Sequence, residues 1–223
     1  MKNYFIKISI FFLSICFVAC TNDDNSAQPD EAFFNLNVGN QWVYKKYDFD
    51  FDTPGVYTFS GIIDNVEVVD IVNLNGISFS KIKHTKTSEN NPSQYIYYEY
   101  LRVNDKGHLI GISENDISNI ENINENSGNV YHPGIDFDYQ KNFNQSYGSM
   151  TYSVSPATTI TVENNSYNTV LYKGVFTPIS EGLPSKTTED HYQKQIGLVK
   201  RICHTVSTNY SWEERLVSYT IVN

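Results

Sequence analysis

Tight-turn signals at short intervals constrain this chain more than any other feature of its sequence. Asn75-Gly76 follows Ile71-Val72 and precedes a second apolar run over residues 77–79, and residues 104–107 (Asn-Asp-Lys-Gly) separate two further runs of the same kind. Asn and Gly tolerate positive φ, so these stretches favour the short turns of β-hairpins. The sequence therefore predicts a series of antiparallel hairpins.

The runs between the turns are rich in aromatic and β-branched residues. The chain contains 17 Tyr and 13 Phe but only two Trp and two Met, and aromatic residues favour the half-buried surface of a sheet. A helical period is absent except in residues 113–126, where Ile117, Ile120 and Ile123 would seat one or two turns. We predict an all-β fold, a single curved antiparallel sheet that is half-barrel or sandwich-like, with a short irregular or helical insertion.

The N-terminus has the features of a secretory signal. Lys2 and Lys7 accompany an uncharged apolar run over residues 8–18, which is shorter than the roughly 20 apolar residues needed to cross a bilayer. A positive start, a short apolar run and a small residue before the cleavage site are typical of a signal peptide. We predict that residues 1–19 are a signal peptide.

A cysteine directly follows the predicted cleavage site. The stretch Phe17-Val18-Ala19-Cys20 resembles a bacterial lipobox, with Phe where Leu is usual. The resemblance implies acylation of Cys20, and several acyl chains hold a protein firmly on a membrane. Cys16 is a poorer candidate because Ile15 is too large for the small-residue position. The alternative is an ordinary cleaved signal peptide with an incidental Cys.

The segment that follows the lipobox predicts a tether. Residues 20–32 contain little apolar content after Cys20 and include Pro29, which is typical of a flexible linker. Residues 21–24 (Thr-Asn-Asp-Asp) resemble the acidic export signal of Bacteroidota surface lipoproteins, although a plain acidic linker would have the same composition. We expect an outer-membrane, lipid-anchored protein, with the cell surface favoured over the periplasmic face.

The remaining residues, 33–223, are long enough for one β domain with a substantial core. The full chain has 16 basic and 25 acidic residues, a net charge of −9; without Lys2 and Lys7, 14 basic residues remain and the net charge is −11. Nucleic acid is bound through Lys and Arg, so we expect no nucleic-acid partner. After cleavage and acylation Cys203 is the single thiol, which excludes an internal disulfide and predicts a small buried side chain.

Both ends of the mature chain resemble one protein family. Residues 33–36 and the stretch Gly39-Asn40-x-Trp42-x-Tyr44 look like the opening of Bacteroidota envelope lipoproteins of unknown function, with Asn35 in place of the usual Pro. Gly197-Leu198-Val199-Lys200 and residues 216–219 look like their closing strands. The resemblance implies a curved antiparallel sheet and brings no catalytic residues with it.

A weak metal-site candidate lies near the start of the domain. Asp48, Asp50 and Asp52 alternate with two Phe, so the three carboxylates share one face of a strand. Oxygen ligands of this kind suit Ca²⁺, but a solvated acidic edge that discourages aggregation is the favoured interpretation. The five His residues show no chelating spacing. We therefore expect no metal and no cofactor.

Motifs of known enzyme classes are absent from the sequence. It contains neither G-x-S-x-G nor H-E-x-x-H, and it lacks the phosphate-binding glycine patterns. Asp190-His191, at the end of a predicted loop over residues 177–190, is the least weak candidate for a catalytic pair, because a triad is defined by geometry and not by order. We predict no catalytic residues and a protein that is not an enzyme.

The stretch QYIYYEYLRV, residues 94–103, is the candidate ligand surface. Alternation places Tyr95 and Tyr97 on one face of a strand and Tyr98 and Tyr100 on the other. Neither face is cleanly polar, so both must be covered, by a second sheet, by residues 113–130 or by a ligand. Trp42 and Trp212 are expected in the core.

These features favour a non-catalytic module that binds a lipid or a glycan, because tyrosine combines an apolar ring with a hydroxyl group. The first alternative is a structural or protein-interaction subunit of an envelope assembly, and the second is an uncharacterised hydrolase. A binding module requires a concave groove lined by Tyr and Phe, whereas an interaction subunit requires a large exposed apolar patch. An enzyme requires a titratable residue in a cleft with a perturbed pKa and a hydrogen-bonded partner.

Overall fold

The computed structural model describes residues 32–49, 53, 55–119, 123–180, 182–206, 208 and 210–222. These residues form twelve strands and one short helix: β1 (Gln41–Phe49), β2 (Tyr57–Leu74), β3 (Ile77–Ser88), β4 (Asn91–Val103), β5 (Leu109–Ser113), α1 (Glu114–Asn119), β6 (Asn129–His132), β7 (Gln140–Gln145), β8 (Gly148–Val162), β9 (Asn165–Pro178), β10 (Lys186–Gln193), β11 (Gly197–His204) and β12 (Ser211–Thr220). The predicted all-β fold with a short helical insertion is confirmed.

All twelve strands belong to one antiparallel sheet, in the order β6-β5-β4-β3-β2-β1-β12-β11-β10-β9-β8-β7. The chain is an up-and-down meander whose first and last strands pair with each other, while the sheet is open between β6 and β7. Because β6 and β7 are consecutive in sequence, residues 133–139 connect the two open edges. β6 has only four residues and β7 is polar (QKNFNQ), which discourages pairing with another chain.

Two hairpins turn on pairs of residues with positive φ. Asn75 (53°) and Gly76 (88°) connect β2 to β3, and Glu163 (47°) and Asn164 (69°) connect β8 to β9. Positive φ at both central residues matches the right-handed twist of the paired strands. The hairpin predicted at Asn75-Gly76 is confirmed.

The Gly-Asn-x-Trp-x-Tyr stretch connects the two ends of the domain. Asn40 is fully buried, and its Oδ1 accepts a backbone N–H just after β12 at 2.7 Å. Trp42 Nε1 donates to the Ile196 carbonyl oxygen at 2.5 Å, and the Tyr44 hydroxyl donates to the Leu198 carbonyl oxygen at 3.0 Å. The opening stretch thus contacts the closing strands directly, and its polar atoms serve the fold.

A hydrophobic core fills part of the inner face of the sheet. Its buried residues come from strands on both sides of the β1–β12 pair: Trp42, Tyr44, Val66, Val68, Ile82, Val162, Tyr167, Val199 and Leu216. Full burial of a Val or Leu side chain stabilises a fold by about 1.5–3 kcal/mol. Val68, Val199 and Leu216 are completely buried, so this core holds the sheet in its curved form.

Ile117 and Ile123, from the described part of the segment between β5 and β6, cover the outer face of β3 to β5. Phe79, Ile112 and Ile123 form a buried cluster there, and Tyr100 and Ile117 pack against it. The insertion therefore completes a second, smaller core on the side of the sheet opposite the main core.

The N-terminal predictions fall on a part of the chain that the structure does not describe. The signal peptide over residues 1–19 and the tether up to residue 31, with Cys20, lie outside the described residues. Within the described ranges, no helix has the length and apolarity needed to span a bilayer.

Candidate functional site

Residues from all twelve strands line one cavity on the inner face of the sheet, with a volume of about 680 Å³. Strands as distant in the sheet as β4 and β9 contribute to it, which requires the sheet to curve around it. Small-molecule sites in proteins typically measure about 300–1,000 Å³. The cavity is therefore the candidate site.

Tyrosine rings form much of the cavity wall, and two glycines make room for them. A Cβ at Gly111 would lie 2.3 Å from the Tyr131 ring, and a Cβ at Gly174 would lie 2.6 Å from the Tyr152 ring. Tyr152 stacks in turn on Tyr172 with ring centroids 5.3 Å apart. No larger residue fits at either glycine, so each of these rings packs directly over a glycine of a neighbouring strand, and both rings line the cavity.

A charged cluster lies on the part of the wall formed by β2, β3 and β4. His84 Nδ1 lies 3.0 Å from Asp64 Oδ2, and His84 Nε2 lies 2.5 Å from Glu99 Oε1. Lys86 Nζ lies 3.6 Å from the same Asp64 oxygen. Tyr97 stacks on the His84 ring with centroids 4.4 Å apart. The imidazole is therefore held on both nitrogens and on one face.

The two carboxylates keep His84 charged at neutral pH. Burial by itself would lower the pKa of His84, but hydrogen bonds to Asp64 and Glu99 outweigh it and raise the pKa to about 9. Burial would likewise raise the pKa of Glu99, and the hydrogen bond to His84 lowers it instead. The cluster of Asp64, His84, Lys86 and Glu99 thus holds two negative and two positive charges.

A second charged row crosses β10, β11 and β12. Asp190 is opposite Arg201, and Arg201 is opposite Glu214, in the strand register. Arg201 donates to Asp190 through Nε at 2.7 Å and Nη2 at 3.2 Å. Burial would lower the pKa of Arg201, but the Asp190 carboxylate raises it. Arg201 is therefore a permanent cation that is oriented by Asp190.

Two carboxyl groups in the cavity retain unused acceptors. Asp64 is 4% exposed, and its Oδ1 has no hydrogen-bond partner among the described residues. Glu214 lines the cavity, and within the same ranges its carboxyl group makes no hydrogen bond or ion pair, whereas the neighbouring Glu213 binds Lys200 and Arg215. Burial raises the pKa of Glu214, and Arg201 opposes that rise. A buried acceptor without a donor costs about 1–3 kcal/mol.

The four tyrosines of the predicted ligand surface lie on two faces of β4. Tyr97 lines the cavity, and Tyr95 stacks on it at 5.6 Å while 65% of its surface is exposed. Tyr98 and Tyr100 belong to the opposite face by alternation, where Lys81 Nζ lies 4.2 Å from the Tyr98 ring centroid and Tyr100 packs against the outer cluster. Tyr98 is nevertheless also among the residues that line the cavity. Ile117 and Ile123, from the described part of residues 113–130, cover that outer face, and this segment was one of the three predicted covers.

Only one of the three residues of the calcium candidate, Asp48, is described by the structure. Asp48 accepts a hydrogen bond from the Tyr210 hydroxyl at 2.7 Å and lies 3.5 Å from Lys46 Nζ. Asp50 and Asp52 lie outside the described residues. In the described part of the chain, no group of three His, Cys, Asp or Glu residues has the geometry to hold a metal ion.

The structure corrects the loop predicted around Asp190-His191. Both residues belong to strand β10, because the loop ends at residue 185. Adjacent strand residues point to opposite faces, so Asp190 faces the cavity and His191 contacts Thr169 at 3.3 Å on the other side. The pair therefore cannot act on one substrate.

Two further sequence expectations concern residues that line the cavity. Trp42 belongs to the core as expected and also lines the cavity, whereas Trp212 is only half-buried and lines the cavity outside the core. Cys203 is also half-buried and lines the cavity, and burial raises the pKa of its thiol.

Sequence reasoning missed the charged groups of the cavity. Asp64, His84, Arg201 and Glu214 are isolated in the sequence and come together only through the sheet register. A usable signal existed: each of them is a polar residue on the inward phase of a strand, next to an apolar residue two positions away such as Val66 or Leu216.

The comparisons with known proteins concern fold. Neither a protein-family model nor a curated protein matches the sequence. Among solved structures, the chain is similar to a “putative lipoprotein” from Parabacteroides distasonis ATCC 8503, with 15% identity and a TM-score of 0.47 over 85% of this chain and 99% of that chain. It is also similar to a “putative exported protein with YmcC-like fold” from Bacteroides fragilis NCTC 9343, with 12% identity, a TM-score of 0.47 and the same coverage.

Proposed function

We propose that the protein is a non-catalytic binding module of the cell envelope that holds a small glycan in the cavity of its curved sheet. One observation carries the proposal: a cavity of about 680 Å³ combines a wall of tyrosine rings with buried charged groups whose hydrogen-bonding capacity is only partly used. Sugars present apolar C–H faces and many hydroxyl groups, so they match both parts of this lining.

The charged groups favour a glycan over the lipid alternative. Asp64, His84, Glu99, Arg201 and Glu214 all line the cavity. An acyl chain in contact with them would remove water from charged atoms without supplying hydrogen bonds, and this desolvation is costly. A polyhydroxylated ligand supplies such bonds.

The contacts of His84 argue against a catalytic role. The cavity does contain a titratable residue with a perturbed pKa and bonded partners, which is what an enzyme requires. A general base, however, needs a ring nitrogen that is open to the substrate. Both nitrogens of His84 are hydrogen-bonded to carboxylates. The residue therefore fixes the cavity wall and does not transfer protons to a ligand.

One observation favours a protein-interaction surface as the second candidate function. Tyr147 and Ile179 are 56% and 68% exposed and are neighbours, since the Ile179 N–H donates to the Tyr147 carbonyl oxygen at 3.1 Å. Exposed apolar groups that lie together are a feature of interaction sites.

Tryptophan fluorescence gives a direct test of glycan binding. Trp212 lines the cavity, so a bound sugar should change its emission in a saturable titration of the full-length chain in nanodiscs. We expect neutral oligosaccharides to do so and palmitate not to. Trp42 also lines the cavity, so Trp212→Phe should reduce the signal change without abolishing it. The smaller ring should weaken binding by roughly 2- to 10-fold, because an aromatic contact contributes about 0.5–1.5 kcal/mol.

The same titration separates the alternatives. A saturable response to palmitate with none to any saccharide would favour the lipid-binding alternative and contradict the proposal. Chromatography of the saccharides after incubation would reveal cleavage products if the protein were a hydrolase.

The proposed location depends on Cys20. In the native host, Cys20→Ser should move the protein from the membrane fraction to the soluble fraction, because the acyl chains supply the membrane affinity. Fractionation followed by immunodetection measures this.

Cys16→Ser is the matched control, and this variant should stay in the membrane. A Cys20→Ser variant that remained membrane-bound would contradict the anchor. Protease treatment of intact cells, with lysed cells as the reference, then tests the expected surface orientation: digestion before lysis supports the cell surface, and protection until lysis places the domain on the periplasmic face.

A further inference from the structure

Arg201 and Glu214 are neighbouring cavity residues that both retain unused hydrogen-bonding capacity. They are directly opposite each other on β11 and β12, a position in which Cβ atoms lie roughly 4.5–5.5 Å apart. The bonds of Arg201 to Asp190 use Nε and Nη2, which leaves Nη1 available among the described contacts. Glu214 makes no hydrogen bond to the described part of the chain. A donor and an acceptor therefore lie side by side on the cavity wall.

We propose that Arg201 and Glu214 bind two neighbouring hydroxyl groups of an uncharged sugar, with the oxygens of one edge of the ring between them. The inference rests on the proposed function and specifies the ligand class and the residues that recognise it. One hydroxyl accepts from Arg201, and the next donates to Glu214. Vicinal hydroxyl groups provide this alternation at the spacing of two paired strands.

Asp64 is a second, independent acceptor that points to the same ligand chemistry. It lies on β2 and Glu214 on β12, so the two carboxyl groups flank β1, which pairs with both strands. Asp64 Oδ1 is buried without a partner among the described residues. The terminal torsion of a carboxylate is soft, so a small rotation presents this oxygen to a hydroxyl group beside β1.

The balance of charge selects a neutral ligand. His84 and Lys86 already lie 3.0 and 3.6 Å from Asp64 Oδ2, so an added ammonium group would meet two cations. Asp190 already holds Arg201 in a two-bond contact, so a ligand carboxylate would compete with a permanent partner. Hydroxyl groups form the available bonds without adding a charge.

Trp212 provides the apolar side of the subsite. It lies two residues before Glu214 on β12, on the same face of the strand, and it lines the cavity. A tryptophan ring can stack on the C–H face of a sugar whose hydroxyl groups reach the neighbouring polar pair.

The test uses Glu214→Leu, because Glu214 has no described partner to lose. The full-length chain, purified in detergent, is applied to an array of neutral, amino and acidic oligosaccharides, and hits are titrated by calorimetry. We expect neutral glycans to bind the wild type and Glu214→Leu to weaken binding by about 10-fold or more, as befits a lost hydrogen bond to an ionisable group. The melting temperature of Glu214→Leu should equal or exceed that of the wild type, because the variant removes a buried acceptor that has no described partner. Glu214→Gln, which retains an acceptor, should bind with intermediate affinity.

Glu67→Leu is the matched control, since Glu67 lies outside the cavity lining and contacts only Gln41 among the described hydrogen bonds. This variant should bind like the wild type. Neutral glycans that bind Glu214→Leu as tightly as the wild type would overturn the assignment of Glu214 and leave the proposed function standing. Binding confined to amino or acidic glycans would overturn the ligand class. An array without any binding would overturn the inference and the proposed function together.

Discussion

Replacement of His84 by Gln should abolish the alkaline loss of stability that the wild-type domain shows between pH 6.5 and 9.5. Over this range we expect the wild-type free energy of unfolding to fall by roughly 2–3 kcal/mol. The measurement is guanidinium chloride unfolding at several pH values, because the midpoint and slope give the free energy directly.

The sign of the effect follows from the raised pKa of His84. The folded protein holds the proton up to a pKa of about 9, whereas an unfolded His releases it near 6.5. A group with a raised pKa contributes its full stability below the unfolded value and loses it as pH rises through the folded value. The window therefore lies between about 6.5 and 9, where Asp64 and Glu99 lose the cation that bridges them.

The His84→Gln variant should also be less stable than the wild type at neutral pH. A neutral glutamine in place of His84 would leave Asp64 and Glu99 buried near each other without a cation between them, and such a loss typically costs about 3–5 kcal/mol. His204→Gln is the control, since His204 lies at the end of β11 and takes no part in the cluster. Its free energy of unfolding should fall with pH as it does in the wild type. If the free energy of unfolding of His84→Gln fell with pH as steeply as that of the wild type, another group would have to titrate in this range.

The fold could be predicted because its determinants are local. Asn75-Gly76 encodes the turn between β2 and β3 in two residues, and alternation along each strand selects the buried face. The turn between β8 and β9 has a weaker sequence signal, because only Asn164 of its two central residues is of a type that favours positive φ, and Glu163 is not. The end of the loop before β10 was also missed, because Lys186 to Asp190 are polar on a strand whose inner face meets a polar cavity.

The candidate site could be predicted only in part because its determinants are not local. Alternation predicts opposite faces of β4 for Tyr97 and Tyr98, but it does not indicate which face meets the insertion, and both residues are among those that line the cavity. The cluster around His84 depends on the mutual register of three strands. One residue of slip would turn every member to the other face, and a single sequence does not specify register over that distance.

The titration of a second histidine, His132, should lower the stability of the domain at acidic pH. His132→Phe should remove the loss of stability that the wild type shows as pH falls from 6.5 to 4.5, which we expect to be roughly 2–3 kcal/mol. His132 is fully buried at the end of β6, where its Nδ1 accepts the Gly134 N–H at 3.0 Å and its Nε2–H donates to the Val170 carbonyl oxygen at 3.3 Å. These bonds require the neutral ring.

Burial explains the direction of this effect. Burial among aromatic rings lowers the pKa of His132 to about 4, below the unfolded value near 6.5. Between these values the unfolded chain binds a proton that the folded chain excludes, so stability falls as pH decreases through the window. His84 is already protonated in both states in most of this range and contributes little slope.

Protonation of His132 should also loosen the structure near the cavity, in addition to lowering the stability of the whole domain. His132 begins the connection between the two open edges of the sheet, and its bond to Val170 joins that connection to β9. Acidification should therefore loosen this side of the cavity before the core around Leu216 is affected. Hydrogen exchange at pH 5 should show faster exchange in residues 132–139 than in β1 and β12.

Phe in place of His132 keeps the ring among Phe34, Tyr172 and Tyr192 but loses two hydrogen bonds. We expect it to cost roughly 1–3 kcal/mol at pH 7 and to make stability independent of pH down to about 4.5. His204→Gln again serves as the reference and should keep the acid slope. A His132→Phe variant with the wild-type slope would assign the acid sensitivity to carboxylates, and a wild type with no slope would contradict the neutral buried state of His132.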